Sequence, residues 1–289
     1  MKLLNALILG IVQGVAEFLP ISSSGHLSIA QNLLNLQVEG ADNVFFDVLL
    51  HLGTLAAVFV AYWGDIRDMV LEFFRMIGDV AGGRVPAKVP PARRLILLIV
   101  VGTLPLFLVL PIKKKVEGLY ANTFFVGGAL LVTGLLLDFC DRIQKGHKNE
   151  RSATLADVAI VGVGQAIATC PGISRSGMTI CMGCIVGMER RFAVRFAFLL
   201  SIPAVLGANI LQIKDVVEAG VDPKIIPACL LGLAAAAISG YLSIRLVRMV
   251  ADKGKFGAFS YYCWAAGAIT IILSVLKALH ALPWLETAA

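Results

Sequence analysis

QGVAEFLPISSSGH, Gln13 to His26, interrupts the apolar stretch that carries it. Gln13 and Glu17 stand four residues apart, so an amide and a carboxylate share one face of a helix. Pro20 then removes a backbone donor and ends the helical run. Ser22, Ser23 and Ser24 follow as three consecutive hydroxyls, with Gly25 and His26 behind them. In hydrocarbon each such polar group needs a protein partner or water, and an ionisable one at membrane depth reads as functional.

Composition makes lipid the relevant solvent. The chain has 289 residues, 58% of them hydrophobic and 15% charged, too much apolar surface for one soluble core. Apolar runs approaching the roughly 20 residues needed to cross a bilayer recur along the whole length, leaving no room for a separate soluble domain. The first run contains Gln13 and Glu17 and lacks a small-residue cleavage site, so no removable signal peptide is expected. The formal charge of +6 suits basic loops and contact with membrane lipids, and a nucleic-acid partner is not expected. Six cysteines fall mostly in apolar segments; Cys181 and Cys184 form a CxxC embedded in continuing helix, read as small hydrophobes rather than a redox or metal pair.

In chain order, Leu3 to Leu19 is too short and too polar for a comfortable crossing and reads as re-entrant, with a second short helix from about His26 to Leu36 returning the chain. Crossings fit Phe45 to Trp63, Leu95 to Ile112 (carrying Pro105) and Phe124 to Phe139. Between the first two, Gly64 to Arg94 reads as a polar connection with an amphipathic portion at Met69 to Ile77. DRIQKGHKNERSAT, Asp141 to Thr154, is the clearest hydrophilic linker. Beyond it the plan restarts: Leu155 to Thr169, a break at PGISRSG (Pro171 to Gly177), a short helix from Met178 to Met188, then crossings at Phe196 to Ile213, Ile225 to Leu246 and Gly257 to about Leu276.

Gln13 and Gly25 recur as Gln165 and Gly177 at the same spacing, with Ile21-Ser22 over Ile173-Ser174, Ser24 over Ser176 and Ser23 over Arg175. The expected architecture is an all-α polytopic membrane protein: a single membrane domain of residues 1–289, with a first repeat at 1–140, a linker at 141–154 and a second repeat at 155–289. Each repeat is a re-entrant pair plus three crossings, and an odd number inverts the second relative to the first. The two breaks then meet near mid-membrane. Arg67, Arg75, Arg84, Lys88, Arg93 and Arg94 share one side with Arg142, Lys145, Lys148 and Arg151, pointing to the cytoplasm; Lys113, Lys114 and Lys115 oppose that orientation.

The second break reads as an anion site. Arg175 lies between Ser174 and Ser176 and near Gly172 and Gly177, so a planar cation, hydroxyls and backbone N–H groups converge, and a helix starting near Met178 adds its positive end. Thr179 belongs to the same set, and phosphate is the expected guest. The bland alternative is a capped turn with Arg175 paired to a loop carboxylate. In the first break Glu17 can hold a divalent cation or act as base, and Gln13 can orient water or a substrate oxygen. Ser22, Ser23 and Ser24 offer a nucleophile and helix caps, capping being the reading for Ser24, and His26 stands three residues beyond Ser23 to take its proton. Asp47 and His51 read as a polar pair at a cavity rim or against a neighbouring helix. His147 reads as solvated, and His280 has no motif around it.

The pair QGVAEFLPISSSGH and PGISRSGMT, with FFDVLLHLGTLAAV and FAFLLSIPAVLGA following them in order, resembles the undecaprenyl-diphosphate phosphatase family of the bacitracin-resistance type along essentially the whole chain. The resemblance implies a multi-pass enzyme of the bacterial-type cytoplasmic membrane that converts undecaprenyl diphosphate to the monophosphate, recycling the lipid carrier of peptidoglycan and other cell-wall synthesis. It puts the acidic motif on Gln13 and Glu17, the catalytic serine on Ser23, the histidine on His26 and the phosphate-binding arginine on Arg175. It also implies a divalent cation, Mg2+ or Ca2+, held by Glu17 with Gln13 as a further ligand. Gln13 brings no charge where the family also allows glutamate, which puts a two-carboxylate site in doubt; Ser24 stands where Thr is frequent and Ala197 where Ser is. Ser23, His26 or water remain alternatives as nucleophile. A transporter or flippase of polyprenyl phosphates, alone or combined with the enzyme, is the rival class, because broken helices in inverted repeats also serve carriage. Gly232 and the small residues from Ala234 to Gly240 allow close packing within a chain or between chains, a homodimer among the expectations.

Overall fold

The computed structural model describes residues 2–32, 41–83, 88–143, 146–220, 222–253 and 255–279, with no side-chain placement for 41–42 and 213–219. Arg84, Lys145 and His280 lie outside it, as does the end of the second helix beyond residue 32.

The described residues are helical, without a strand. Helix α1, Leu3–Phe18, stops where the residue before Pro20 must leave the helical region: Leu19 is extended, at ψ 140. Helix α2, Ser23–Asn32, follows after Ser22. At 16 residues α1 reaches about 24 Å, short of a roughly 30 Å hydrocarbon core. Then come α3 (Ala41–Ala61), α4 (Trp63–Ala81) and α5 (Pro91–Thr103), a 3-10 segment (Leu104–Ile112), α6 (Lys113–Gly118), a 3-10 turn (Leu119–Ala121) and α7 (Thr123–Arg142). The second half holds α8 (Leu155–Ile167), α9 (Arg175–Ile185), α10 (Arg190–Ala219), a 3-10 turn (Pro223–Ile225), α11 (Ile226–Lys253) and α12 (Gly257–Ala278).

Six segments among the described residues are long and apolar enough to cross a membrane: Asn43–Ala61, Pro91–Ala121, Thr123–Arg142, Arg190–Gln212, Pro223–Lys253 and Gly257–Ala278. Their outer faces present large apolar side chains such as Val60, Leu108, Leu135, Ile210 and Ile238, as a lipid-facing surface requires. The chain is a multi-pass helical membrane protein.

Two elements differ from the sequence reading. The connection after Trp63 is a continuous helix, α4, of 19 residues. Its charged face pairs with α5, Arg93 donating from Nε to Glu72 at 2.8 Å and from Nη2 to Asp79 at 2.6 Å, while Val70, Phe73, Phe74, Ile77 and Val80 face outward. Charges at nearly every turn hid the helix; Asp65, Glu72 and Asp79 find partners on other elements, in Arg195 and Arg93. The second crossing is α-helical only to Thr103 and then tightens to 3-10 through Pro105 and Pro111, which lack the N–H that an α-helix needs.

Small residues set the packing. Helix α1 lies along α11 with Gly10 against the Gly232 carbonyl and Gly14 against Ala236 and Gly240. Gly232 also meets Phe46 of α3, and Gly240 meets Phe18 and Ala57. The small-residue stretch of α11 therefore serves contacts inside the chain. At one end of the bundle Arg195 pairs with Asp65 and Glu150, and Asp141 accepts the Phe256 and Gly257 N–H groups at 2.8 and 2.6 Å. At the other, Lys277 donates to the Asn32 carbonyl at 3.1 Å and Ser28 to that of Tyr120 at 2.6 Å. The connections after α3 and after α7 share the first end, as their basic residues led one to expect.

Candidate active site

The loops α1–α2 and α8–α9 meet in the interior. A Cβ on Gly25 would come 3.1 Å from Gly172 Cα, and one on Gly177 would come 3.2 Å from Pro20 Cβ. Ser24 Oγ accepts a long 3.5 Å bond from Gly172 N–H, and Ser176 Oγ donates to the Leu19 carbonyl at 3.3 Å. Gly172 has φ +92, conformational freedom that this crossing uses.

Glu17 is the centre. It is buried, with Ser23 Oγ donating to its Oε2 at 2.6 Å, Gln13 Nε2 donating to the same oxygen at 3.1 Å, and Arg175 paired to Oε1. A chain of contacts thus runs from a guanidinium through one carboxylate to a hydroxyl. His51 of α3 is the other basic side chain near enough to act electrostatically on Glu17.

His26 is not the partner of Ser23. Its Nδ1 lies 2.7 Å from the Ser22 carbonyl, which can only accept, so Nδ1 carries the proton. Nε2 lies 2.7 Å from the Tyr262 hydroxyl, which donates to it, with the two rings nearly parallel at 12°. The expected Ser23–His26 contact is absent: Ser23 Oγ donates to Glu17, and helical geometry turns His26 toward α12. Ser22 takes the capping role assigned to Ser24: its Oγ accepts from Gly25 N–H at 3.2 Å. It does so at φ +73, a left-handed conformation rare for a side-chain-bearing residue and characteristic of functional sites.

Helix α9 begins at Arg175, three residues earlier than Met178. Ser174 is its N-cap, accepting from Gly177 N–H at 3.1 Å and contacting Ser176 Oγ at 3.2 Å. Thr179 donates to the Arg175 and Ser176 carbonyls of its own helix, so it steadies the turn and is not directed at a ligand. The anion donors remaining at this break are Arg175, half-buried, and the first-turn N–H groups of α2 and α9. Asp47 and His51 are joined through the backbone, His51 Nδ1 donating to the Asp47 carbonyl at 2.8 Å, while Asp47 Oδ1 is buried without a hydrogen-bond partner. His147 is exposed. Cys181 and Cys184 are buried free thiols.

Two contributors had no sequence signal beyond a hydroxyl in an apolar helix. Thr133 of α7 accepts from Ser174 N–H at 3.1 Å and donates to the Gly172 carbonyl at 3.0 Å, clasping the second loop. Tyr262 lies 236 positions from His26.

Among the described residues no three His, Cys, Asp or Glu side chains group to hold a divalent cation, and both Glu17 oxygens already accept protein donors. Gln13 Oε1, on the residue that donates to Glu17, is buried and without a partner. These residues fit a cation shared with an incoming anion, supplying one carboxylate and one neutral oxygen.

The class is therefore a multi-pass helical membrane protein in which a buried carboxylate joins an arginine to a serine where the N-termini of two short helices meet. The family follows from comparison: residues 6–269 match the bacitracin resistance protein BacA model, and the chain belongs to that family. It is 41% identical to an undecaprenyl-diphosphatase of Methanosphaera stadtmanae, over 96% of this chain and 99% of that protein. It is 40% identical to one of Alkaliphilus metalliredigens (96% and 100%) and 37% to one of Halothermothrix orenii (95% and 99%).

Proposed function

We infer that this protein is an undecaprenyl-diphosphate phosphatase, releasing phosphate from undecaprenyl diphosphate to leave the monophosphate, and that this recycling of the cell-wall lipid carrier confers bacitracin resistance. Full-length similarity to named undecaprenyl-diphosphatases supports the substrate. The observation that carries the chemistry is the Arg175–Glu17–Ser23 connection.

The diphosphate enters between the two loops, its isoprenoid tail among lipid-facing helices. Its oxygens compete with Glu17 for Arg175, whose planar fork suits phosphate. Glu17, released from its cation, then accepts the Ser23 proton along the existing 2.6 Å contact as Ser23 Oγ bonds to the terminal phosphorus and the anhydride bond breaks. Arg175 and the first-turn N–H groups stabilise the charge on the equatorial oxygens. Water then attacks phosphorus, and Ser23 recovers its proton from Glu17. Substrate capture and nucleophile activation are thereby one event. Glu17 and Gln13 Oε1 would hold a divalent cation, which would supply further neutralisation of the diphosphate charge.

The loops are proposed to be re-entrant, each belonging to one of two inverted repeats. Residues Gly25 with Gly172 and Gly177 with Pro20 support this: each contact maps onto the other by the 152-residue offset that separates Gln13 from Gln165. The site residues are those of the two breaks, and a bacterial-type cytoplasmic membrane is the proposed location.

The test is phosphate release from a long-chain polyprenyl diphosphate by protein purified in detergent, with and without Mg2+ or Ca2+. Ser23→Ala and Arg175→Ala are each expected to lower kcat by on the order of 10²-fold or more. An active Ser23→Ala enzyme would remove the serine nucleophile; an inactive wild type would leave lipid-phosphate carriage as the reading.

A further inference from the structure

Both ring nitrogens of His26 are engaged, Nδ1 with the Ser22 carbonyl and Nε2 with the Tyr262 hydroxyl, each at 2.7 Å. A carbonyl cannot deliver a proton. The basic lone pair of the imidazole is on Nε2, and the group covering it is a phenol that can both give and receive one. Tyr262 is 45% exposed on α12, whereas His26 is half-buried and only one turn along α2 from Ser23. Tyr262 is therefore the more exposed residue of the pair, with its hydroxyl on His26 Nε2.

We propose that Tyr262 is a catalytic residue that relays the proton of the attacking water to His26, an assignment that rests on the phosphatase reading. In the second half-reaction the water oxygen bonds to phosphorus while the Ser23 Oγ–phosphorus bond breaks. The water proton passes to Tyr262 Oη as the phenolic proton passes to His26 Nε2, and Ser23 Oγ takes back the proton held on Glu17. The imidazolium so formed keeps its Nδ1–H on the Ser22 carbonyl and now donates from Nε2 to Tyr262, so the contact survives the charge change. The proton returns through Tyr262 when phosphate leaves. Ser22, held at φ +73, aims the carbonyl that fixes this tautomer.

The test uses full-length enzyme in detergent with a polyprenyl diphosphate and reads kcat and KM separately. Tyr262→Phe keeps the ring and removes only the hydroxyl; the expected result is a kcat lower by on the order of 10²-fold with KM within about threefold. A fold defect would give a similar loss, so position 262 is also filled with 3-fluorotyrosine and 3,5-difluorotyrosine. These keep the hydroxyl and grade its acidity. A relay makes kcat change progressively across tyrosine and the two fluorinated residues, whereas a purely structural hydroxyl leaves the three alike, and that result overturns the proposal. A Tyr262→Phe enzyme within threefold of wild type also overturns it while leaving the phosphatase reading intact. Wild-type protein that releases no phosphate removes both.

Discussion

Glu17 carries three protein donors on two oxygens, and two substitutions around it make different predictions. If the carboxylate is the base for Ser23 and the resting partner of Arg175, Glu17→Gln should separate catalysis from binding. Phosphate release should fall by about 10²- to 10⁴-fold, the range of a lost general base, while a non-hydrolysable polyprenyl methylene-diphosphonate should bind at least as tightly, because Arg175 no longer has a carboxylate to leave. Weaker analogue binding would contradict the competition between carboxylate and phosphate. Gln13 makes the opposite prediction. Gln13→Glu places a second carboxylate one turn from Glu17, so Mn2+ binding to substrate-free protein, followed by electron paramagnetic resonance, should tighten by roughly tenfold or more through the added charge. Unchanged affinity would mean that the cation is held elsewhere.

At the scale of elements, the loop crossing depends on absent side chains. Gly172→Ala would set its Cβ 2.6 Å from the Val126 carbonyl and 2.7 Å from Ala129 Cβ, at a φ that an L residue resists. Thermal unfolding should register a loss on the order of 2–4 kcal/mol, overpacking and backbone strain together, and activity should fall with it. Gly207→Ala in α10 is the control: no atom lies within 4 Å of its Cβ, so it should be neutral or slightly stabilising. Equal effects from the two would show that the second loop does not pack against α7 as described. Helix α4 makes the same point about legibility. Its period was readable only over Met69 to Ile77, because the rest of its polar face is meaningful only once Arg93 and Arg195 are brought to it.

For the whole molecule, alternating crossings by the six apolar segments among the described residues would put the connections after α3 and α7 on one side and Lys113–Glu117, toward the far end of the second, on the other. In a cysteine-free background reconstituted in vesicles, Arg75→Cys and Asn149→Cys should react with a membrane-impermeant maleimide from the same side, and Lys114→Cys only from the opposite one. Labelling of all three from one side would remove a crossing from the bundle.

The number and approximate limits of the crossings, the two breaks and the identity of Glu17, Ser23, His26 and Arg175 as the residues of interest were legible in the chain itself. They are local properties: hydropathy over about 20 residues, a proline that forbids an α-helical predecessor, and polar groups that lipid cannot solvate. Which of those residues face each other was not. Only the crossing of the two loops brings Arg175 to Glu17, and only the packing of α12 beside α2 puts a phenol on His26. Pairings across 158 and 236 positions leave no trace in local periodicity, because each side chain's partner is chosen by helix packing, not by its neighbours in the chain. That packing set the serine hydroxyl on a carboxylate paired with an arginine and turned the histidine toward a tyrosine.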